Sequence, residues 1–173
     1  CSWSRGLGDV YKRQAIKDAL KVMMSGTEDE MIDFIGQFRK KFRSLPPEEI
    51  SFPRTVSDVV KYKGRNAIYE KGTPIHARGS LLFNHHVKRL GLEGKYSLIG
   101  NGEKVKFCYL RSPNPIHENV MSFIQDFPRE IGIEKYIDYD LQFEKSFLDP
   151  LKIILDVIQW NVEKTASLES FFS

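Results

Sequence analysis

Gly100-Asn-Gly-Glu-Lys104-Val-Lys-Phe-Cys-Tyr-Leu110 decides the fold class of this chain. Gly100-Asn-Gly102 is a hairpin-type turn signal. Beyond it Val105, Phe107 and Tyr109 alternate with Lys104, Lys106 and Cys108, the period of a strand with one apolar face and a basic outer face. Pro113 and Pro115 end the run, and Asn119–Ile124 reads as a second strand. A small antiparallel sheet near the middle of the chain follows.

Helices flank this sheet. Ala15–Met24 places Ile16, Ala19, Leu20 and Met23 on one stripe, and Ser25-Gly26 breaks it. Thr27 then caps a second helix. Acids stand in its first turn (Glu28, Asp29, Glu30), bases near its end (Arg39, Lys40, Lys41, Arg43), and Met31, Phe34, Ile35, Phe38 and Phe42 form its apolar face. Pro46-Pro47 stops it. Residues 48–79 read as mixed loop punctuated by Pro53, Gly64, Gly72, Pro74 and Gly79, and Ser80–Leu90 as a helix closed by Gly91. On that helix Leu82, Phe83, His86 and Leu90 can share one face, with His85, Lys88 and Arg89 on another. Gly132–Ile158 carries a helical period interrupted at Pro150, which either kinks one helix or starts another with Asp149 as its cap. The fold class is α+β and helix-dominated.

Bulk properties narrow the function. No apolar run approaches the ~20 residues of a membrane-spanning helix. Cys1 and Cys108 are too few for a disulfide scaffold or a cysteine-based zinc site. The net charge of +3 conceals an asymmetry: residues 54–111 hold 12 Lys/Arg against 4 Asp/Glu, and residues 112–173 hold 5 against 11. A basic central block of this kind is the footprint of a polyanion-binding surface. A solvated face with no partner would give the same count. Within the block, Lys71-Gly-Thr-Pro-Ile-His-Ala-Arg-Gly79 sets two cations, a histidine and a hydroxyl around flexible joints, suited to close approach to a phosphate backbone. Lys88, Arg89, Lys104 and Lys106 can extend that surface, and Lys61-Tyr-Lys-Gly-Arg65 interleaves base and aromatic. No helix presents the Asn, Gln or Arg cluster needed to read bases, so duplex contact would be independent of sequence.

Other chemistry is not supported. His76, His85, His86 and His117 lack acidic partners at metal-ligand spacing. No glycine-rich phosphate loop opens a helix after a strand, and no serine or cysteine triad can be assembled. The chain therefore reads as a binding module.

Both ends carry information. Asp9–Gln14 resembles the in-frame translation of a transposon-end sequencing adaptor, and Ser4–Gly8 resembles the remainder of the same adaptor. Residues 1–14 are therefore expected to be non-native, the native protein to begin upstream of Ala15, and Cys108 to be the one genuine cysteine. At the other end a polar tail closes with Leu168, Phe171 and Phe172. Apolar anchors at a chain end suit a plug for another protein's pocket, or a tail folded back on its own core.

Lys71-Gly-Thr-Pro-Ile-His-Ala-Arg-Gly-Ser80, Arg111-Ser-Pro-Asn-Pro115, Lys135-Tyr-Ile-Asp-Tyr-Asp-Leu-Gln-Phe-Glu-Lys-Ser-Phe-Leu-Asp-Pro-Leu151 and the terminal Ala-Ser-Leu168-Glu-Ser-Phe-Phe172 together resemble the C-terminal portion of T-even-like bacteriophage DNA polymerases, replicative enzymes of family B. The resemblance covers nearly everything from Ala15 to Ser173. It implies that residues 15–44 are the end of the palm and the approach to the thumb, that 45–164 are a thumb gripping primer–template duplex, and that 165–173 dock on the sliding clamp. Implied duplex contacts are Lys71, His76, Arg78, Asn84 and Lys145, with Lys104 and Lys106 beside them; implied clamp anchors are Leu168, Phe171 and Phe172. Thr165 stands where many clamp peptides carry glutamine. The intact enzyme would use Mg²⁺ in the cytoplasm of an infected bacterium. The catalytic aspartates would lie upstream, leaving this stretch inactive alone and without a cofactor of its own.

Tyr136-Ile-Asp138-Tyr-Asp140 looks like the catalytic carboxylate element of the same family. That role requires both acids to converge on one point, and the following Leu141–Leu148 continues as helix, where residues i and i+2 do not face each other. The pair reads as an acidic helix start. Two alternatives stand beside the polymerase reading: a small self-contained nucleic-acid-binding or adaptor protein, and a metal-dependent nuclease using Asp138, Asp140 and Glu144.

Overall fold

The structure, a computed structural model, describes residues 7–160, with side chains from Tyr11 onward. In chain order its elements are α1 (Leu7–Ser25), α2 (Glu28–Arg43), α3 (Pro47–Ile50), β1 (Phe52–Thr55), α4 (Ile75–Arg89), β2 (Lys104–Tyr109), β3 (Val120–Phe123), α5 (Tyr139–Phe143) and α6 (Asp149–Val157), with short 3₁₀ turns at Arg129–Ile131 and Glu134–Tyr136. The fold is mixed α+β with one three-stranded antiparallel sheet. Two compact units divide the chain after Leu45 and again after Gln142. Among the described residues, 143–160 therefore group with the N-terminal helices.

The helical unit is organised by aromatic rings. Thr27 Oγ1 accepts the Glu30 N–H at 3.2 Å, and the acid-first, base-last charge order of α2 opposes its macrodipole. The ring of Phe38 lies 5.6 Å from that of Phe143 and 4.7 Å from that of Phe147, and Phe42 meets Phe143 at 5.3 Å. Contacts of this geometry add to the area term that drives burial. In α1 Ala19 is buried as expected, together with Ala15, while Ile16 and Leu20 are about two-fifths exposed, so the inward stripe is turned towards Ala15. Alanines let the two helices approach closely. The helix also reaches back to Leu7, through the stretch expected to be non-native, and no proline interrupts Leu7–Gln14.

Pro150 stands in the first turn of α6, as one expected outcome had it, but without Asp149 as the cap. The chain stays helical through it, and Glu144–Leu148 widens to a π turn in which the Asp149 N–H donates to Glu144 O. A proline nitrogen cannot donate and its ring crowds the carbonyl four residues back, so one wider turn absorbs both faults. Asp149 is thus not a cap.

In the other unit β2 is the central strand, paired with β1 through Phe52↔Phe107 and with β3 through Phe107↔Ser122. Sequence reading missed β1 because Pro53 looked like loop punctuation. An edge strand has a free side on which a missing N–H costs nothing. Helix α4 lies on β3, and the contact is close. A Cβ on Gly79 would overlap Ser122 Oγ and stand 2.9 Å from Ser122 N. Gly79 is therefore not a break ahead of the helix but the place inside it where strand and helix touch. The C-terminus of α4 closes as expected at Gly91 (φ 67°): the Leu92 N–H reaches Val87 O at 2.9 Å and the Gly91 N–H reaches Lys88 O at 3.2 Å.

Candidate nucleic-acid interface

Facing is set by the sheet register. Gly79 rests on Ser122, Ser122 pairs with Phe107, and paired residues project to the same side. Val105, Phe107 and Tyr109 therefore face α4, together with Arg54, which pairs with Val105. Lys104 and Lys106 face the opposite way. Lys104 is exposed, whereas Lys106 is half-buried and its Nζ donates to the Glu48 carbonyl at 3.1 Å. Cys108 follows on that same side, yet it is fully buried, so the expected basic outer face ends after Lys106. Burial pushes the Cys108 thiol up to about 12, leaving it a poor nucleophile.

On the α4 side the cations gather at the helix N-terminus. Pro74 caps α4 with no side-chain hydrogen bond, so the first N–H groups of this 15-residue helix present its positive end without a side-chain cap. Lys71 lies just ahead, exposed. His76 is half-buried, and burial followed by the charge of Arg54 lowers its pKa below the ordinary 6.5. It is neutral at pH 7 and offers hydrogen bonds, not charge. Its carbonyl accepts from Ser80 Oγ at 2.8 Å and from Ser122 Oγ at 3.1 Å. Arg54 completes the group and was missed from sequence along with β1.

Arg78 is tied down. Its Nη2 donates to Asn119 Oδ1 at 2.6 Å, its guanidinium carbon lies 5.7 Å from the Tyr69 ring centre, and its Nε is buried without a partner. The Tyr69 hydroxyl in turn donates to the Glu118 carboxylate at 2.9 Å and 3.0 Å. Asn84 has a structural task of its own: its Nδ2 donates to Ile99 O at 2.9 Å, and its Oδ1 accepts the Ile99 N–H at 2.7 Å. Lys145 belongs to the helical unit, in the π turn. Leu168, Phe171 and Phe172 lie outside the described residues. The expected contact set is therefore dispersed: Lys71, His76 and Arg78 cluster at one helix end, while Lys104 and Lys106 point away from it.

Asp138 acts as a cap. Its Oδ1 accepts the Leu141 N–H at 3.0 Å and its carbonyl accepts the Gln142 N–H at 3.0 Å. Among the described residues no three His, Cys, Asp or Glu side chains come together to hold a metal ion. The described side chains do not fit a Mg²⁺ site. Nor is any described helix long and apolar enough to cross a membrane.

A cleft separate from the α4 N-terminus lies alongside the helix, with a volume of about 620 Å³. Lys63, Arg65, His85 and Lys88 stand on its rim.

The chain is 27% identical over 164 residues to the DNA-directed DNA polymerase of Enterobacteria phage T4. It is 26% identical over 165 residues to the DNA-directed DNA polymerase of Escherichia phage RB69. Each match takes in 92% of this chain but only 18% of the polymerase's own length. No family model matches.

Proposed function

We propose that this chain is the C-terminal portion of a bacteriophage family B replicative DNA polymerase, acting as a thumb on primer–template duplex and as a tether to the sliding clamp. The observation that carries the reading is the similarity to two phage polymerases along nearly the whole chain. The geometry supports it physically. Lys71 and Arg54 flank a helix N-terminus of 15 residues without a side-chain cap, and the neutral His76 adds a hydrogen-bonding group. Such an end attracts a phosphate through its dipole and its first N–H groups, without reference to base sequence. Arg78, held through Asn119 and Tyr69, fixes the approach to this end. The terminal Leu168, Phe171 and Phe172 serve as clamp anchors.

In this reading Mg²⁺-dependent nucleotidyl transfer belongs to the intact enzyme, and this portion positions the duplex without chemistry of its own. Determining the gene sequence upstream of the codon for Ala15 tests it. An open frame encoding a polymerase palm with paired catalytic aspartates is the expected result. A native start codon at that point would overturn the proposal.

A further inference from the structure

We infer that the cleft beside α4 is a docking site for an acidic peptide segment bearing bulky apolar side chains, carried by another protein. This does not depend on the polymerase reading. A volume of about 620 Å³ falls within the ~300–1,000 Å³ of pockets that enclose a ligand. The buried side chains of Leu81 and Ile99 form part of its floor, and Val60 stands at its lip with 74% of its surface exposed. Every charged or titratable residue that lines it is basic: Lys63, Arg65, His85 and Lys88, all exposed. An aliphatic floor inside a rim that carries basic side chains and no acid is complementary to a segment that alternates carboxylates with leucine or phenylalanine.

Nucleic acid fits the cleft less well. Single strands are held by stacking on aromatic planes, and the lining offers no ring beyond the His85 imidazole. Duplex backbone presents no apolar group for Val60 and Leu81 to cover. The cleft is also preformed. Asn84 pins Ile99 on one wall, the Val59 N–H donates to Asn101 Oδ1 at 2.6 Å, and the Lys63↔Tyr69 bridge steadies the other wall. Preformed walls reduce the ordering cost of binding.

The test uses the full chain and a short fluorescein-labelled peptide alternating Glu or Asp with Leu or Phe, followed by anisotropy at physiological salt. Saturable binding is expected, weakened about tenfold or more by Lys63→Glu with Lys88→Glu, and similarly by Val60→Asp. All three positions are exposed, so melting temperature should be unchanged; if Val60→Asp lowers it, the charge-reversal pair alone decides. Lys71→Ala should leave peptide binding intact while weakening duplex binding, which separates this site from the α4 N-terminus. The inference is overturned by absence of binding, by equal binding of a peptide with its Leu and Phe replaced by Ser, or by a single-stranded oligonucleotide that displaces the peptide at equal affinity.

Discussion

Replacing Gly79 with alanine sets two effects of opposite sign against each other. Gly79 sits inside α4, where a glycine-to-alanine change gains about 1 kcal/mol in helix propensity. The new methyl, however, would stand 2.9 Å from Ser122 N and overlap Ser122 Oγ. Relieving that overlap means moving α4 off β3 or turning the Ser122 hydroxyl away from the His76 carbonyl. Overpacking of this kind costs roughly 1–3 kcal/mol, and the lost hydrogen bond about 1 kcal/mol more. Steric cost exceeds propensity gain, so Gly79→Ala should destabilise the sheet unit by about 1–3 kcal/mol net. Urea unfolding followed by far-UV circular dichroism reads this as a lower midpoint at unchanged slope. Adding Ser122→Ala removes the hydroxyl but leaves the backbone contact, so it should restore only part of the loss. A Gly79→Ala protein as stable as the parent, or more so, would refute the close approach of α4 to β3.

Three further outcomes follow from specific contacts. Asn84→Ala leaves both the N–H and the carbonyl of Ile99 without their partner, and should cost about 1–3 kcal/mol in urea unfolding. His86 is lowered to about 4 by burial, then by the neighbouring His85 and Arg89 charges. The unfolded chain takes up this proton below about 6.5 while the folded one stays neutral down to about 4. Stability is therefore full above 6.5, falls by up to about 3 kcal/mol as pH drops towards 4, and the urea midpoint should lose that part of its pH slope in His86→Asn. For the tail, Phe171→Ala with Phe172→Ala should release the chain from an immobilised sliding clamp, since anchors of this type carry about 2 kcal/mol or more each; undiminished retention would mean the tail serves another purpose.

Local patterns were legible in the sequence, and long-range pairing was not. The alternation from Val105 to Tyr109 identified the central strand, and Thr27, Gly91 and Asp138 stand where capping chemistry puts them. β1 stayed hidden because its identity comes from pairing with residues some fifty positions away, and Pro53 disguised it. Gly79 misled because it is a helix breaker by local propensity that a close contact overrides, whereas Pro150 does stand at a helix start, joined to the preceding turn by a π turn that sequence does not announce. The charges of the candidate interface were plain from composition. Their separation onto opposite sides of the sheet was not, because a residue's face is fixed only once its strand register is known. Arg54 was missed with its strand, and the structural engagement of Asn84 depends on a loop that folds back from Ile99.

The salt dependence of duplex binding reads out the phosphate contact at the α4 N-terminus. The expected log–log slope is negative and becomes shallower by about one unit in Lys71→Ala, with Lys104→Ala, on the other side of the sheet, leaving it unchanged. A slope insensitive to Lys71, or no duplex binding by the folded chain at low salt, would contradict that contact.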